Sequence, residues 1–170
     1  ATERDEDAHI MASTILNIVA IASMVLIAIG IVFTPQLIDI MVRFEHANAA
    51  EATALTIVLT RIMFAQCFFM CLAGISQGIL QCYKEFTIPA LGAVVYNIAI
   101  IIIGLLLARH IGIMGFTIGV VVGAALNLLL QIRAMRQYGF SYKLRLNLNH
   151  PGVKKFFLLF LPVVLGLSMN

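Results

Sequence analysis

Charge is scarce in this sequence. Asp, Glu, Lys and Arg together make up 11% of its 170 residues, while hydrophobic residues make up 62%. Soluble domains carry about a quarter charged residues and are about half apolar. A soluble chain of this length has no single core large enough to hide so much apolar surface. A water-soluble globular domain is therefore excluded, and hydrocarbon is the solvent for most of the chain. The mean hydropathy of +1.03 agrees.

Catalytic signatures are missing too. There is no HExxH, no GxSxG, no P-loop and no GxGxxG opening a nucleotide fold. No apolar segment carries the pair of acids that hydrolysis requires. The four histidines, His9, His46, His110 and His150, fall at the ends of apolar segments or between them, which argues against a proton relay at membrane depth. Of the three cysteines, Cys67 and Cys71 are four residues apart and share a helix face. A metal or redox pair is one reading. The other is that buried Cys serves as a small apolar residue, and it is favoured because no further ligand type clusters nearby and no zinc spacing appears. We expect no enzyme, no cofactor and no metal.

What the sequence does have is long apolar blocks. About 20 residues are needed to cross a hydrocarbon core about 30 Å thick. Four blocks reach that length, at residues 13–33, 54–80, 88–108 and 112–132, and a fifth at 156–170 runs to the last residue. The runs are unbroken, as from Ile98 to Leu107 (IAIIIIGLLL). Barrel strands alternate apolar with polar residues, whereas a helix satisfies its own backbone groups in lipid. The expected fold is all-α, a polytopic transmembrane helix bundle forming part of a lobe, with four complete spans and the start of a fifth. Residues 1–170 read as one transmembrane region. The chain does not start with Met and no cleavable signal pattern opens it, so an internal piece of a larger transporter is expected.

The basic residues orient the chain. Six of the eleven, Arg133, Arg136, Lys143, Arg145, Lys154 and Lys155, lie between the fourth and fifth blocks. Lys and Arg mark the cytoplasmic side. Residues 133–155 are then inside, together with the N-terminal end (Arg4) and the tight turn at Lys84 and Glu85. Arg43 and Arg109 are outside, and Arg61 lies within a span. A nucleic-acid patch is the weaker reading of the basic stretch, since this inside bias explains it. Contact with anionic lipid follows in any case.

Finer punctuation refines the spans. The first span is expected to end near Thr34 and Pro35. Asp39 and Arg43, four apart, would then form a weak pair on a short interfacial helix. Residues 83–86 force an antiparallel hairpin, and Pro89 fits the first turn of the third span. Gly139 looks like a helix C-cap. Asn149, His150 and Pro151 read as the opening of the fifth span, where Lys154 and Lys155 would snorkel. Gly115, Gly119 and Gly123, and likewise Gly74 and Gly78, make small faces that permit close helix approach in lipid. Such faces serve either static packing or a sliding contact.

Arg61 is the one ionisable residue deep in a span. A charge at membrane depth is costly and usually marks a pathway, so it is the candidate substrate-binding residue, facing a water-filled cavity and an anionic substrate. The alternatives are snorkelling or a pair with Glu51. Asn17, Gln66, Gln77, Gln81, Asn97, Asn127 and Gln131 are expected mainly to bond neighbouring helices.

Several motifs carry a resemblance. Phe86, Thr87, Ile88, Pro89 and Ala90, followed by Asn97, resemble the FxxPA…N signature that opens the fifth helix of the MurJ/MviN family. Leu59, Thr60, Arg61, Ile62 and Met63 are similar to its LxRIM opening of helix four. Gly139 and Phe140, Arg145 and Leu146, and the run from Pro151 to Lys155 resemble its GF…R-L…PGV-[RK]-[RK] connection. Leu161, Pro162 and the LGLS that starts at Leu165 resemble the start of its helix seven. The chain departs from the pattern at Gln81, where the family often has Asn, and at Ala93, where it often has Pro.

The resemblance spans nearly the whole chain, over family helices three to six and half of seven. It implies a lipid II flippase of the multidrug/oligosaccharidyl-lipid/polysaccharide exporter superfamily, working by alternating access across the bacterial cytoplasmic membrane. The driving force would be the membrane potential or an ion gradient. Implied partners are membrane lipids, a lipid-linked substrate and the remaining helices of the transporter, with no nucleic acid. The family's main pyrophosphate-holding arginines lie chiefly in helices that this chain does not contain, and Arg61 matches a basic family position in helix four. Another exporter of the superfamily and a non-transporting membrane scaffold are the alternatives.

Overall fold

The computed structural model describes residues 3–41 and 49–142, with Gly152, Val153 and Leu158. Four helices account for nearly all of them: α1 (Glu3–Met41), α2 (Ala49–Cys82), α3 (Thr87–Ile111) and α4 (Met114–Gln137). Among the described residues there is no strand. Each helix is long and apolar enough to cross a membrane, so the expected all-α transmembrane bundle is observed. The fifth span, the cap at 149–151 and the ion pair to Arg43 lie outside the described residues.

Hydrophobic patterning is inverted relative to a soluble bundle. Large apolar side chains point outward, including Leu26, Val32 and Ile40 on α1 and Ile101, Leu105 and Leu106 on α3. Buried positions are instead small or polar: Ser13, Thr14, Thr34, Ser76, Thr117, Asn127 and Gln131. Lipid solvates the first set, so packing between helices falls to residues that allow close approach or bond backbone. The hydroxyls of Thr14, Thr34 and Ser76 each donate to the carbonyl four residues back, on Ile10, Gly30 and Leu72.

The principal contacts run α1 to α2, α2 to α4 and α4 to α3. The residue 83–86 turn makes α2 and α3 sequence neighbours, yet α3 packs mainly on α4. Gln66 Nε2 donates to the Tyr96 hydroxyl at 3.0 Å and ties the middles of α2 and α3 together. One small core, of Leu80, Ala134, Met135 and Phe140, gathers Ala12 and Leu16 of α1 and Ile88 of α3 at the end where α2 and α4 finish.

Three expectations change. The helices overrun the predicted spans, because a helix continues past the hydrocarbon wherever its backbone ladder is intact. α1 does not stop at Pro35 but runs through it to Met41, which a spanning helix tolerates when neighbouring groups satisfy the freed backbone. Gly112 does not open the fourth span. It has φ +59 and forms the turn after α3, its N–H bonding Ala108 O, and α4 starts at Met114.

The Gly139 cap is observed, with φ +81. Gly139 N–H bonds Arg136 O at 3.1 Å and Phe140 N–H bonds Met135 O at 3.0 Å, the paired bonds of a Schellman motif. α2 ends in the same way around Lys84, a non-glycine residue at φ 60. Lys84 N–H bonds Gln81 O and Glu85 N–H bonds Leu80 O.

The glycine faces separate in the structure. Gly115, Gly119 and Gly123 are buried against α3. A Cβ on Gly115 would stand 2.8 Å from the backbone of Ala108 and Leu107, and one on Gly123 would stand 2.8 Å from the Tyr96 carbonyl. Gly74 and Gly78 meet nothing within 4 Å. They line an open groove of about 560 Å³ between α1 and α2, facing Ala12 and Ile15.

Candidate functional site

Arg61 lies twelve residues into α2, about 18 Å along the helix at 1.5 Å per residue. Its Nε donates to the backbone carbonyl of Ile31 on α1 at 3.3 Å. Ile31 is four residues before Pro35, so its carbonyl has lost its normal acceptor role in the α1 ladder. One turn of α2 further on, the Phe64 ring covers Gly30, where a Cβ would lie 2.6 Å from the ring. Thr34 is fully buried and its hydroxyl takes the Gly30 carbonyl at 2.6 Å. The seam between α1 and α2 is thus built from one bare glycine, one proline-freed carbonyl and one guanidinium.

The arginine remains exposed on the bundle. Among the described residues it has no carboxylate partner, and no pair with Glu51 forms. Its contact to Ile31 uses Nε and leaves the two terminal amino groups for another partner. A guanidinium at this depth is stable against water or an anion, not against lipid tails.

The opposite end of the bundle holds a polar and aromatic cluster. The His9 and Tyr83 side chains share a hydrogen bond of 3.0 Å, and His9 stacks edge-on against Phe140 with centroids 5.3 Å apart. Tyr83 lies 5.9 Å from Tyr138. The Tyr138 hydroxyl donates to Glu85 Oε2 at 2.5 Å, while Glu85 Oε1 accepts from the N–H groups of Thr87 and Ile88 that open α3. The hydrogen bond from Tyr138, followed by those from the backbone, holds the Glu85 carboxyl below its usual range, and the same contact raises Tyr138. These groups join α1, the α2–α3 turn and the end of α4.

The sign of the pH dependence follows. A depressed carboxylate stabilises the fold above its ordinary pKa and loses that contribution as pH falls through the folded value. The Tyr138 contribution is present below pH 10 and fades above it. We expect Glu85→Gln to lower the thermal midpoint by a constant amount between about pH 5 and pH 9. The gap to the parent should close below pH 4.5, the unshifted value. Melting curves in detergent across that range check this.

Beside this cluster is a cavity of about 290 Å³ between α1, α2 and α4, lined by Leu16, Asn17, Ser76, Leu128 and Arg136. The Tyr142 hydroxyl donates to Asn17 Oδ1 at its rim. A buried amide pair lies within α4, where Gln131 Nε2 donates to Asn127 Oδ1 at 3.0 Å. Asn127 Oδ1 sits against Gly92 of α3, and Gln131 Oε1 is buried with no partner among the described residues. Asn97 instead bonds the Ala93 carbonyl of its own helix at 2.8 Å. Cys67, Cys71 and Cys82 are free and exposed, and no group of three potential metal ligands forms among the described residues.

A helical bundle with an inverted apolar pattern and one cation at depth is the setting in which the comparisons with known proteins bear. The family model described as Lipid II flippase MurJ matches residues 1–170. The chain belongs to the MurJ family. It is 28% identical over 159 residues to a lipid II flippase MurJ of Burkholderia cenocepacia, covering 90% of this chain and 31% of that protein. It is 29% identical over 147 residues to a probable lipid II flippase MurJ of Bdellovibrio bacteriovorus, covering 85% and 28%. A probable lipid II flippase MurJ of Buchnera aphidicola is 26% identical over 160 residues, covering 93% and 31%. The chain therefore spans less than a third of the length of these MurJ relatives. No solved structure matches it. Membership in the MurJ family and four spanning helices make it a multi-pass protein of the bacterial inner membrane.

Proposed function

We propose that residues 1–170 are one transmembrane region of a MurJ-type flippase that moves lipid II across the bacterial cytoplasmic membrane by alternating access. The observation that carries this is the MurJ match over the whole chain. The exposed apolar faces support it, since they suit a bundle completed by further helices and lipid. The partners in this reading are lipid II, membrane lipids and the remaining helices of the transporter. The protein moves its substrate without bond chemistry and has no nucleic-acid role.

The N-terminal end and residues 133–155 face the cytoplasm in this reading. In support, His9, the residue 83–86 turn and Tyr138 meet at one end of the bundle, as alternating spans require, and Lys84, Arg133 and Arg136 belong to the same end. Arg61 sits in the outer half, anchored through Nε, and offers its terminal amino groups to the anionic headgroup. Its exposure at depth without a carboxylate partner supports that role.

Depletion–rescue tests the reading. Cells that lose their native flippase should recover wall synthesis when supplied with the full-length gene encoding this chain, and lipid II should become accessible at the outer leaflet. Failure to rescue by a correctly inserted protein defeats the proposal. Arg61→Ala should slow the flipping of lipid II several-fold while insertion stays normal.

A further inference from the structure

We propose that Pro35 is a positioning residue for Arg61. By lacking an N–H it leaves the Ile31 carbonyl open, and that carbonyl fixes the guanidinium so that its other edge is presented as a two-pronged anion site. The inference rests on the reading of Arg61 as a headgroup contact.

The argument begins with the helix ladder. In α1 the N–H of each residue bonds the carbonyl four residues earlier. Proline breaks one such bond, and at position 35 the carbonyl left over belongs to Ile31. In hydrocarbon a freed carbonyl must find a donor inside the protein. The hydroxyl in the same turn of α1 is already committed, since Thr34 Oγ1 bonds Gly30 O. The donor that reaches Ile31 O is Arg61 Nε, from the neighbouring helix at 3.3 Å. The carbonyl that Pro35 releases and the one cation deep in a span therefore meet each other. The helices are close enough for this because Phe64, three residues after Arg61, lies on the bare Cα of Gly30.

The consequence is orientation. A guanidinium has five N–H groups in a rigid planar fork. Fixing Nε fixes the plane, and the two terminal nitrogens are left on the outer edge. That edge matches two oxygens of one phosphoryl group. A lysine at this place has a single ammonium, which can bond the carbonyl or the anion with far less geometric definition. The chemical class recognised is a phosphate or pyrophosphate ester at the membrane interface.

A mutant cycle in the full-length protein, reconstituted in nanodiscs, tests this with radiolabelled farnesyl pyrophosphate as the probe. Arg61→Ala should weaken binding about tenfold. Pro35→Ala restores an N–H for Ile31 O, releases Arg61 and should weaken binding about fivefold. The double variant should bind no more weakly than Arg61→Ala alone, because each change removes the same contact. Arg61→Lys should bind as poorly in the parent as in the Pro35→Ala background. Thr34→Val disturbs the same turn of α1 but leaves Ile31 O open, and should stay within twofold of the parent.

Additive losses in the double variant overturn the positioning role, as does a Pro35→Ala protein that binds like the parent. A Thr34→Val loss equal to that of Pro35→Ala also overturns it, by showing that helix shape and not the carbonyl matters. Unchanged binding in Arg61→Ala defeats instead the reading of Arg61 as a headgroup contact.

Discussion

Replacing Gly123 with leucine is expected to destabilise the bundle by about 1–3 kcal/mol, the usual range for overpacking a close contact. Its new Cβ would meet the Tyr96 carbonyl at 2.8 Å and the Tyr96 ring at 3.1 Å. The first of these is backbone in the middle of α3, which moves only if the whole helix shifts. Gly115→Ala should behave similarly, since its Cβ meets the backbone of Ala108 and Leu107 at 2.8 Å. Gly78→Ala is the control. Nothing lies within 4 Å of its Cβ, and alanine favours the helix by up to about 1 kcal/mol over glycine, so stability should hold or rise slightly. Denaturation in mixed micelles reads all three. Equal losses at Gly78 and Gly123 would contradict the geometry described for α4.

Gly92→Ala should cost about as much by a different route. Its Cβ collides with Asn127 Oδ1, the atom that accepts the Gln131 amide hydrogen bond. Moving Asn127 aside breaks that bond within a buried site and leaves both amides short of partners. An unsatisfied buried polar group costs about 1–3 kcal/mol, and Gln131 Oε1 already lacks a partner. Pairing Gly92→Ala with Asn127→Ala relieves the clash and should recover part of the loss. A double variant as unstable as the sum of the two single variants would show that the amide pair is not what Gly92 makes room for.

These positions show how far the sequence was legible. Composition and block length were enough for the four described helices, because a membrane imposes their apolarity and length through solvent and thickness. The motif at Phe86, Pro89, Ala90 and Asn97 was enough for the family. Two glycine faces of the same spacing looked alike, yet one packs backbone on backbone and the other lines a groove. That difference depends on which helix lies opposite, and α4 packs on α3 while Gly74 and Gly78 face an opening beside α1. Local rules also placed a helix end at Pro35, since proline breaks a ladder. The break is healed by a side chain thirty residues away in sequence, which no local window contains. The isolation of Arg61 did mark it as unusual, but the partner it has on α1, a backbone carbonyl, was not among the readings of the sequence, which were an anionic substrate, snorkelling or a pair with Glu51. Asn97, expected to bond a neighbouring helix, bonds its own.

The order of contacts along the bundle bears on how it is assembled. α3 and α4 are joined by two residues and share the most extensive interface, built by glycines that admit no intervening lipid. Contacts so local in sequence close fastest. As the chain leaves the ribosome, this hairpin is complete before any later segment is needed. The α1–α2 seam is made first in time but rests on fewer points, chiefly Phe64 on Gly30 and Arg61 on Ile31. The nascent protein thus acquires a stiff half and a compliant half side by side, and the compliant half is the one that carries the exposed guanidinium of Arg61.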